Sequence, residues 1–325
     1  MSEICRICGN STDNRLHTAR EMMFGTRDEF IYLECGACRT VQIVDIPDLD
    51  KYYPKDYYSL APAVGPELSR SLKSRLAARL ASGFYLSGKG WVGKYLAKSK
   101  EWIGRHFPPF LKEAFLGITI SSPILDFGCG QGELLQTLNY FGFRNLTGAD
   151  AFIEHDIVYP NGVTIYKKPL AEIADKFDLV MLHHSFEHLP DPAESLSHIH
   201  RILNPDKFCL IRIPLINYAW EIYGVNWVQL DPPRHLFLYS ESSFRKLAEA
   251  NGFIVEKVIY DSEIFQFYAS EQYSQDIAMN EPKAYRGVIA DSIFTLKQLD
   301  KWQKKTHELN ASGKGDQACF YLRKT

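Results

Sequence analysis

The spacing of apolar and polar positions divides the chain into three textures. From residue 121 onward, short apolar runs alternate with amphipathic stretches. Ile124-Leu125-Asp126-Phe127 reads as a buried strand, followed by a Gly-rich turn and a helix through Leu134, Leu135 and Leu138. Further strands are expected at Asn145–Asp150, Val163–Tyr166, Asp178–Leu182, Phe208–Ile213, Phe253–Tyr260 and Ala318–Leu322. Helices are expected at Pro192–Leu203 and Glu241–Ala250, the second stopping at Asn251-Gly252. Repeated strand–helix alternation predicts an α/β fold with seven strands, mostly parallel, and helices on both faces.

Ahead of this, residues 46–120 start as an aromatic stretch (Tyr52, Tyr53, Pro54, Tyr57, Tyr58) and continue as helix. There Leu68, Leu72, Leu76 and Leu80 recur at the four-residue spacing of an amphipathic face. Residues 1–45 carry only short β-like runs, Phe30–Leu33 and Val41–Val44. The expected organisation is therefore a small unit at 1–45, a helical linker at 46–120 and an α/β domain at 121–325. Within that domain, insertions are expected at 214–240, beside a substrate, and at 265–315.

Charge changes this picture locally rather than globally. The formal net charge is −2, which gives no general attraction to nucleic acid or anionic membrane. Yet residues 66–117 hold ten Lys or Arg against three Glu, leaving an excess of acid elsewhere. Such a stretch suits a solvated or inter-domain face, or an anionic acceptor at a membrane surface with peripheral association. No apolar run reaches the roughly 18 residues of a membrane span, and Met1 to Cys5 lack a signal peptide's apolar core, so a cytoplasmic location is expected.

Four of the seven cysteines form two Cys-x-x-Cys pairs, Cys5/Cys8 and Cys35/Cys38. Tetrahedral Zn2+ takes four thiolates, and each pair presents two sulfurs from one tight loop, so a structural zinc ribbon is expected. Unrelated free thiols are the alternative. A thioredoxin-like redox pair would need a βαβ setting that neither pair has.

Asp126-Phe127-Gly128-Cys129-Gly130-Gln131-Gly132 lies where the first strand of the α/β domain turns into its first helix. Glycines there let the main chain approach a ligand, and Asp150 at the end of the next strand is placed to accept from ribose hydroxyls. A dinucleotide fingerprint would need a further glycine at position 133, which is Glu. An acid immediately before the glycines also suits a cationic sulfonium bearing an amino group better than a pyrophosphate.

These residues, with Gly148-Ala149-Asp150, Phe177-Asp178-Leu179-Val180, Glu187-His188-Leu189-Pro190-Asp191-Pro192 and Ile211-Arg212-Ile213-Pro214, resemble the successive motifs of class I S-adenosylmethionine-dependent methyltransferases. The resemblance covers roughly 121–260 and implies a Rossmann-like sheet. The cysteine pairs and Tyr-rich segment resemble a bacterial subgroup that modifies sugars and surface glycans. The resemblance implies that Asp126 and the Gly128-Cys129-Gly130 main chain hold the methionine part and Asp150 the ribose. It further implies that Ala151, Phe152 and Leu170 line the adenine, and that His183 borders the methionine end. Lys168-Pro169-Leu170 departs from the pattern, which often has an acid beside adenine.

Methyl transfer to a hydroxyl requires proton removal, so a His or carboxylate is expected near the methyl. His184 and His188 follow the fourth strand. His235 ends an aromatic, Pro-rigid segment (Tyr218, Trp220, Tyr223, Trp227, Pro232, Pro233), with Arg234 placed for an anionic group of the acceptor. His235 is the first candidate for the base, against a structural ring bonded to a main-chain carbonyl. The expected reaction is methylation of a hydroxyl or carbon of a small polar acceptor: a sugar, nucleotide sugar or glycan. The competing functions are an RNA methyltransferase gripping RNA through the ribbon, and a non-catalytic zinc-ribbon interaction protein.

Overall fold

The computed structural model describes residues 4–53, 71–287 and 293–325. Pro54, Tyr57, Tyr58 and Leu68 lie outside the described residues.

Twelve strands are described: β1 Arg15–Arg20, β2 Glu29–Glu34, β3 Val41–Ile43, β4 Ile124–Phe127, β5 Leu146–Ala149, β6 Ile157–Val158, β7 Thr164–Tyr166, β8 Phe177–His183, β9 Leu203–Pro214, β10 Phe237–Leu238, β11 Phe253–Tyr260 and β12 Gln317–Lys324. The helices are α1 Leu72–Ser87, α2 Trp91–Ser99, α3 Glu101–His106, α4 Glu133–Tyr140, α5 Pro192–Ile202, α6 Tyr218–Tyr223, α7 Glu241–Ala250, α8 Phe265–Ser274 and α9 Leu296–Ala311.

All four residues of β4 are buried, as expected of a strand covered on both faces. It is the centre of an eight-stranded mixed sheet in the order β11-β12-β9-β8-β4-β5-β7-β6. The five strands β7, β5, β4, β8 and β9 run parallel, whereas β12 is antiparallel to both β9 and β11. The count is thus eight rather than the expected seven. The extra strand, β6, is two residues pairing antiparallel with β7, too short to leave a period in the sequence. From β4 the chain builds outward through β5 and β7, then returns to build β8 and β9 on the other flank. That reversal opens a crevice at the carboxyl ends of β4, β5 and β8.

A second sheet, β1-β2-β3-β10, combines the N-terminal segment with two residues from the loop after β9. Phe237 and Leu238 pair with Gln42 and Val41. The Arg6 guanidinium lies 4.4 Å from the centre of the Phe237 ring, and Ser240 Oγ donates to the Cys38 carbonyl at 2.9 Å. The cysteine-bearing segment therefore packs directly against the loop that carries His235.

Helix α1 buries its small residues. Ala78, Ala81 and Ser82 face inward, with Ser82 Oγ donating to the Phe141 carbonyl at 2.9 Å. The leucine stripe instead faces outward: Leu72, Leu76 and Leu80 are all exposed, as are Trp91 and Tyr95 of α2. Four-residue spacing identifies one helical face without saying which way it points. No helix among the described residues is long and apolar enough to cross a membrane.

Candidate functional site

The crevice holds a cleft of about 530 Å³. Its walls come from the β4–α4 turn (Phe127, Gly128), the end of β5 (Asp150, Ala151, Phe152), Pro169 and Leu170 after β7, and His183, His184, Ser185 and His188 after β8. Tyr53 closes one side, its ring stacked on Phe152 at 5.3 Å and its hydroxyl 3.1 Å from His188 Nδ1. Of the nine residues expected to bind the donor, Gly128, Asp150, Ala151, Phe152, Leu170 and His183 line this cleft. Asp126, Cys129 and Gly130 form the turn behind it.

The turn is held by its own chemistry. Gly128 has φ +73°, and a Cβ there would stand 2.4 Å from that of Ser185, so only glycine fits. Ser185 in turn donates to the Phe127 carbonyl at 2.9 Å. The Asp150 carboxylate accepts from the amides of Gly130 (2.9 Å) and Phe152 (2.8 Å), which ties the glycine turn to the end of β5. Each carboxylate oxygen keeps a second lone pair for a ligand hydroxyl. Asp126 is buried, and burial, reinforced by the Asp150 charge, pushes its pKa up to about 8. Two carboxyls this close in a dry turn make a site for a cation.

Beyond β8 the chain makes an abrupt bend. His184 adopts φ +52°, an uncommon conformation for a residue with a Cβ and the kind of strain found at functional sites. Its amide donates to the Arg212 carbonyl at 2.9 Å, and its Nδ1 lies 3.5 Å from Glu187 Oε1. His184 also borders a second, polar cavity of about 360 Å³, lined by Arg212, Gln229, Glu263, Gln266, Asp316 and Gln317 among others. Burial, only partly offset by the Trp227 indole donating at 2.9 Å, raises Asp316 to about 6.

Glu187 is fully buried among three histidines. Burial alone would raise its pKa, but the proximity of His184, His188 and His235 outweighs it and holds the carboxyl below its ordinary value. His235 stands behind this group rather than on the cleft wall. Its Nδ1 donates to the Gln229 carbonyl at 2.7 Å, its Nε2 is 3.8 Å from Glu187 Oε1, and burial with the nearby His188 lowers its pKa to about 4. His188 lies between them, its ring centre 4.8 Å from that of His235 and its Nδ1 donating to the Arg234 carbonyl at 2.8 Å. His183, neutral with a pKa lowered to about 3 by burial and by the charges of Arg212 and His184, packs on Phe110.

The expectation that Arg234 holds an acceptor's anion is corrected. Its guanidinium is fully buried and bonded to Asp231 Oδ2 (Nε, 2.9 Å) and Glu21 Oε1 (Nη2, 2.8 Å). Of the aromatic segment, Trp220 and Trp227 are core residues rather than a stacking surface. The polar cavity was not anticipated. Its one legible signal is Arg212, a charge at the carboxyl end of the otherwise apolar run Cys209–Pro214.

The four cysteines converge. Cys5 and Cys38 sulfurs are 3.6 Å apart, Cys8 and Cys35 3.5 Å, and all four lie within 4.8 Å of one another. Thiolates about 2.3 Å from a tetrahedral ion sit about 3.8 Å apart, so the set fits Zn2+.

Among solved structures, the chain is similar to a SAM-dependent methyltransferase from Archaeoglobus fulgidus, at 19% identity over 73% of this chain and 100% of that one, with a TM-score of 0.41. It is similar to the cyclopropane synthase MmaA2 from Mycobacterium tuberculosis at 17% identity, covering 65% of this chain and 80% of that chain, TM-score 0.41. It is also similar to the magnesium protoporphyrin IX methyltransferase of Synechocystis PCC 6803, solved with bound SAH, at 15% identity, 63% and 75% coverage, TM-score 0.39. No curated protein matches the chain. A family model described as a methyltransferase domain matches residues 97–258, the span that contains the glycine turn, Asp150, the cleft histidines and His235. The chain thus carries a methyltransferase domain, and it is a methyltransferase.

Proposed function

We propose that the enzyme transfers the methyl group of S-adenosylmethionine to a hydroxyl or carbon of a small polar acceptor: a sugar, nucleotide sugar or glycan. In this reading the donor fills the 530 Å³ cleft. Asp126 and the Gly128–Gly130 turn face its cationic methionine end, Asp150 takes the ribose, and Ala151, Phe152 and Leu170 flank the adenine. The acceptor fills the polar cavity, whose Arg212, Gln229, Gln266, Asp316 and Gln317 offer donors and acceptors suited to a hydroxyl-rich molecule.

The observation that carries this reading is the position of His184. It alone among the three candidate bases borders both cavities, and the buried Glu187 anion stands behind it. In-line displacement then needs only that the acceptor and the sulfonium meet beside this ring, with the proton passing to it. His188 and His235 support the arrangement from behind. The four cysteines hold a structural Zn2+ that fixes the N-terminal sheet against the His235 loop.

The exposed Leu72, Leu76 and Leu80, with Trp91, Tyr95 and the flanking Lys and Arg, support peripheral contact with an anionic membrane bearing a lipid-linked acceptor. Flotation with phosphatidylglycerol vesicles should recover the wild type, and Leu72→Glu/Leu76→Glu should abolish recovery.

The decisive experiment is incubation with methyl-labelled donor and a panel of nucleotide sugars, read by mass spectrometry. A labelled sugar supports the proposal. Labelling confined to RNA, in a parallel arm, would overturn the acceptor class.

A further inference from the structure

Glu187 presents a chemical problem that methyl transfer alone leaves unsolved. Its side chain is 0% exposed, and neither carboxylate oxygen makes a hydrogen bond. The nearest nitrogens are those of two imidazoles, His184 Nδ1 at 3.5 Å and His235 Nε2 at 3.8 Å, and burial keeps the His235 ring neutral. A fully buried carboxyl whose oxygens lack hydrogen bonds is costly unless a further group, such as a cation, satisfies it. Arg234, the nearest permanent cation in the loop, is already committed to Asp231 and Glu21.

The two histidines beside Glu187 are oriented as ligands. His188 Nδ1 donates to the Arg234 carbonyl at 2.8 Å and His235 Nδ1 to the Gln229 carbonyl at 2.7 Å. Those bonds fix both tautomers and leave Nε2, with its lone pair, as the nitrogen free for an ion. Metal-bound imidazoles nearly always show this main-chain or carboxylate bond on the opposite nitrogen. One ligand atom from each of Glu187, His188 and His235 lies within 4.8 Å of the other two. Ligand atoms about 2.1 Å from a common tetrahedral ion stand about 3.4 Å apart, so side-chain movement of about 1 Å would bring the three onto one ion.

We propose that Glu187, His188 and His235 bind a divalent first-row transition metal at the back of the cleft, separate from the four-cysteine site. Two imidazoles and one carboxylate suit Zn2+, Mn2+, Fe2+ or Co2+ rather than Mg2+ or Ca2+, which prefer all-oxygen shells. Three protein ligands leave coordination positions open, and His188 lines the cleft. Water or another oxygen ligand taking those positions would be polarised by the ion and lose its proton more readily. Asp231 is not a ligand, because its carboxylate is engaged by Arg234, although Oδ2 comes within 3.9 Å of His235 Nε2.

The test uses the untagged full chain and cobalt(II) chloride as the probe, without donor or acceptor, so its outcome is independent of the methyl-transfer reading. Cobalt bound by cysteine gives intense near-ultraviolet thiolate charge transfer, whereas cobalt on nitrogen and oxygen gives only weak visible bands. Wild type should bind cobalt with a visible band lacking thiolate charge transfer, in addition to any bound by cysteine. Thermal unfolding should shift upward on addition of the metal. Glu187→Gln and, separately, His235→Asn should each lose that band and that shift while keeping the thiolate signal, which also reports that the variant has folded. If wild type shows only the thiolate-linked signal, or if both variants retain the thiolate-free band, the site does not exist.

Discussion

The side chains of Arg234 and Glu21, 213 residues apart in sequence, meet at 2.8 Å with neither exposed to solvent. The pair joins the N-terminal sheet to the loop after β9. Glu21 also accepts from the amides of Phe24 (2.8 Å) and Thr26 (3.0 Å), shaping the turn between β1 and β2. Arg234 offers its carbonyl to His188, and the adjacent His235 carbonyl accepts from the Tyr32 hydroxyl at 2.9 Å. The N-terminal sheet therefore sets the positions of two of the three candidate catalytic histidines.

Removing Glu21 should be costly, because the buried Arg234 guanidinium then keeps only Asp231 and the amides of Phe24 and Thr26 lose their acceptor. Glu21→Ala should destabilise the protein by about 3–5 kcal/mol. Urea unfolding followed by tryptophan fluorescence measures this directly. A loss below about 1 kcal/mol would mean that Asp231 alone compensates the Arg234 guanidinium.

Zinc belongs to the same fastening in the proposed reading. Cys35 is buried and its sulfur lies 3.5 Å from that of Cys8. Cys35→Ser should lower the zinc content by about one ion per chain and release the N-terminal sheet from the loop, since a structural ion contributes its binding energy to folding. Elemental analysis and proteolysis of β1–β3 report the two effects. Cysteine-free zinc content in the wild type, unchanged by the substitution, would remove the ribbon.

Much of this organisation was legible in the residues. β4 and β11 fall where the apolar runs place them, and the glycine turn and Asp150 were recognisable because a strand, a tight turn and a helix leave little choice of residue. The attachment of β10 to β3 was not, since two residues carry no periodicity and the pairing spans about two hundred positions. Arg234 was misread for a related reason. A charged residue in a loop looks like a ligand contact until its distant partner, Glu21, is known. His184 gave no sign of its bridging position, which depends on a left-handed conformation at a residue whose sequence context reads as the plain end of a strand.

Donor binding should depend on pH through Asp126. Burial and the Asp150 charge place its pKa at about 8, so in the free protein the group keeps its proton at neutrality. A raised folded-state pKa contributes stability that is present at low pH and is lost as pH rises through about 8. A cationic donor that pairs with the anion has the opposite preference. Its affinity should rise between about pH 6 and 8, by at most about tenfold per unit, and level off above that. Calorimetry with S-adenosylmethionine should show this rise in the wild type and a flat, weaker response in Asp126→Asn. An equal slope in the variant would assign the proton elsewhere.

His184 should govern turnover more than donor affinity. The ring borders both the donor cleft and the polar cavity, so a proton leaving an acceptor hydroxyl there has a base within reach. A positioned base is worth about 100- to 10,000-fold in rate. Once an acceptor is identified, His184→Asn should cut kcat by at least about 100-fold while leaving donor affinity within about threefold. His235→Asn gives the contrast: it removes a buried ring that touches neither cavity wall, so its loss should act through Glu187 and His188. If His235→Asn lowers kcat as severely as His184→Asn while the thermal midpoint and donor affinity hold, proton removal depends on the buried ring or an ion it holds, and His184 is not the sole base. If His184→Asn alone is crippled, the bend at the end of β8 is the point where acceptor and methyl donor meet.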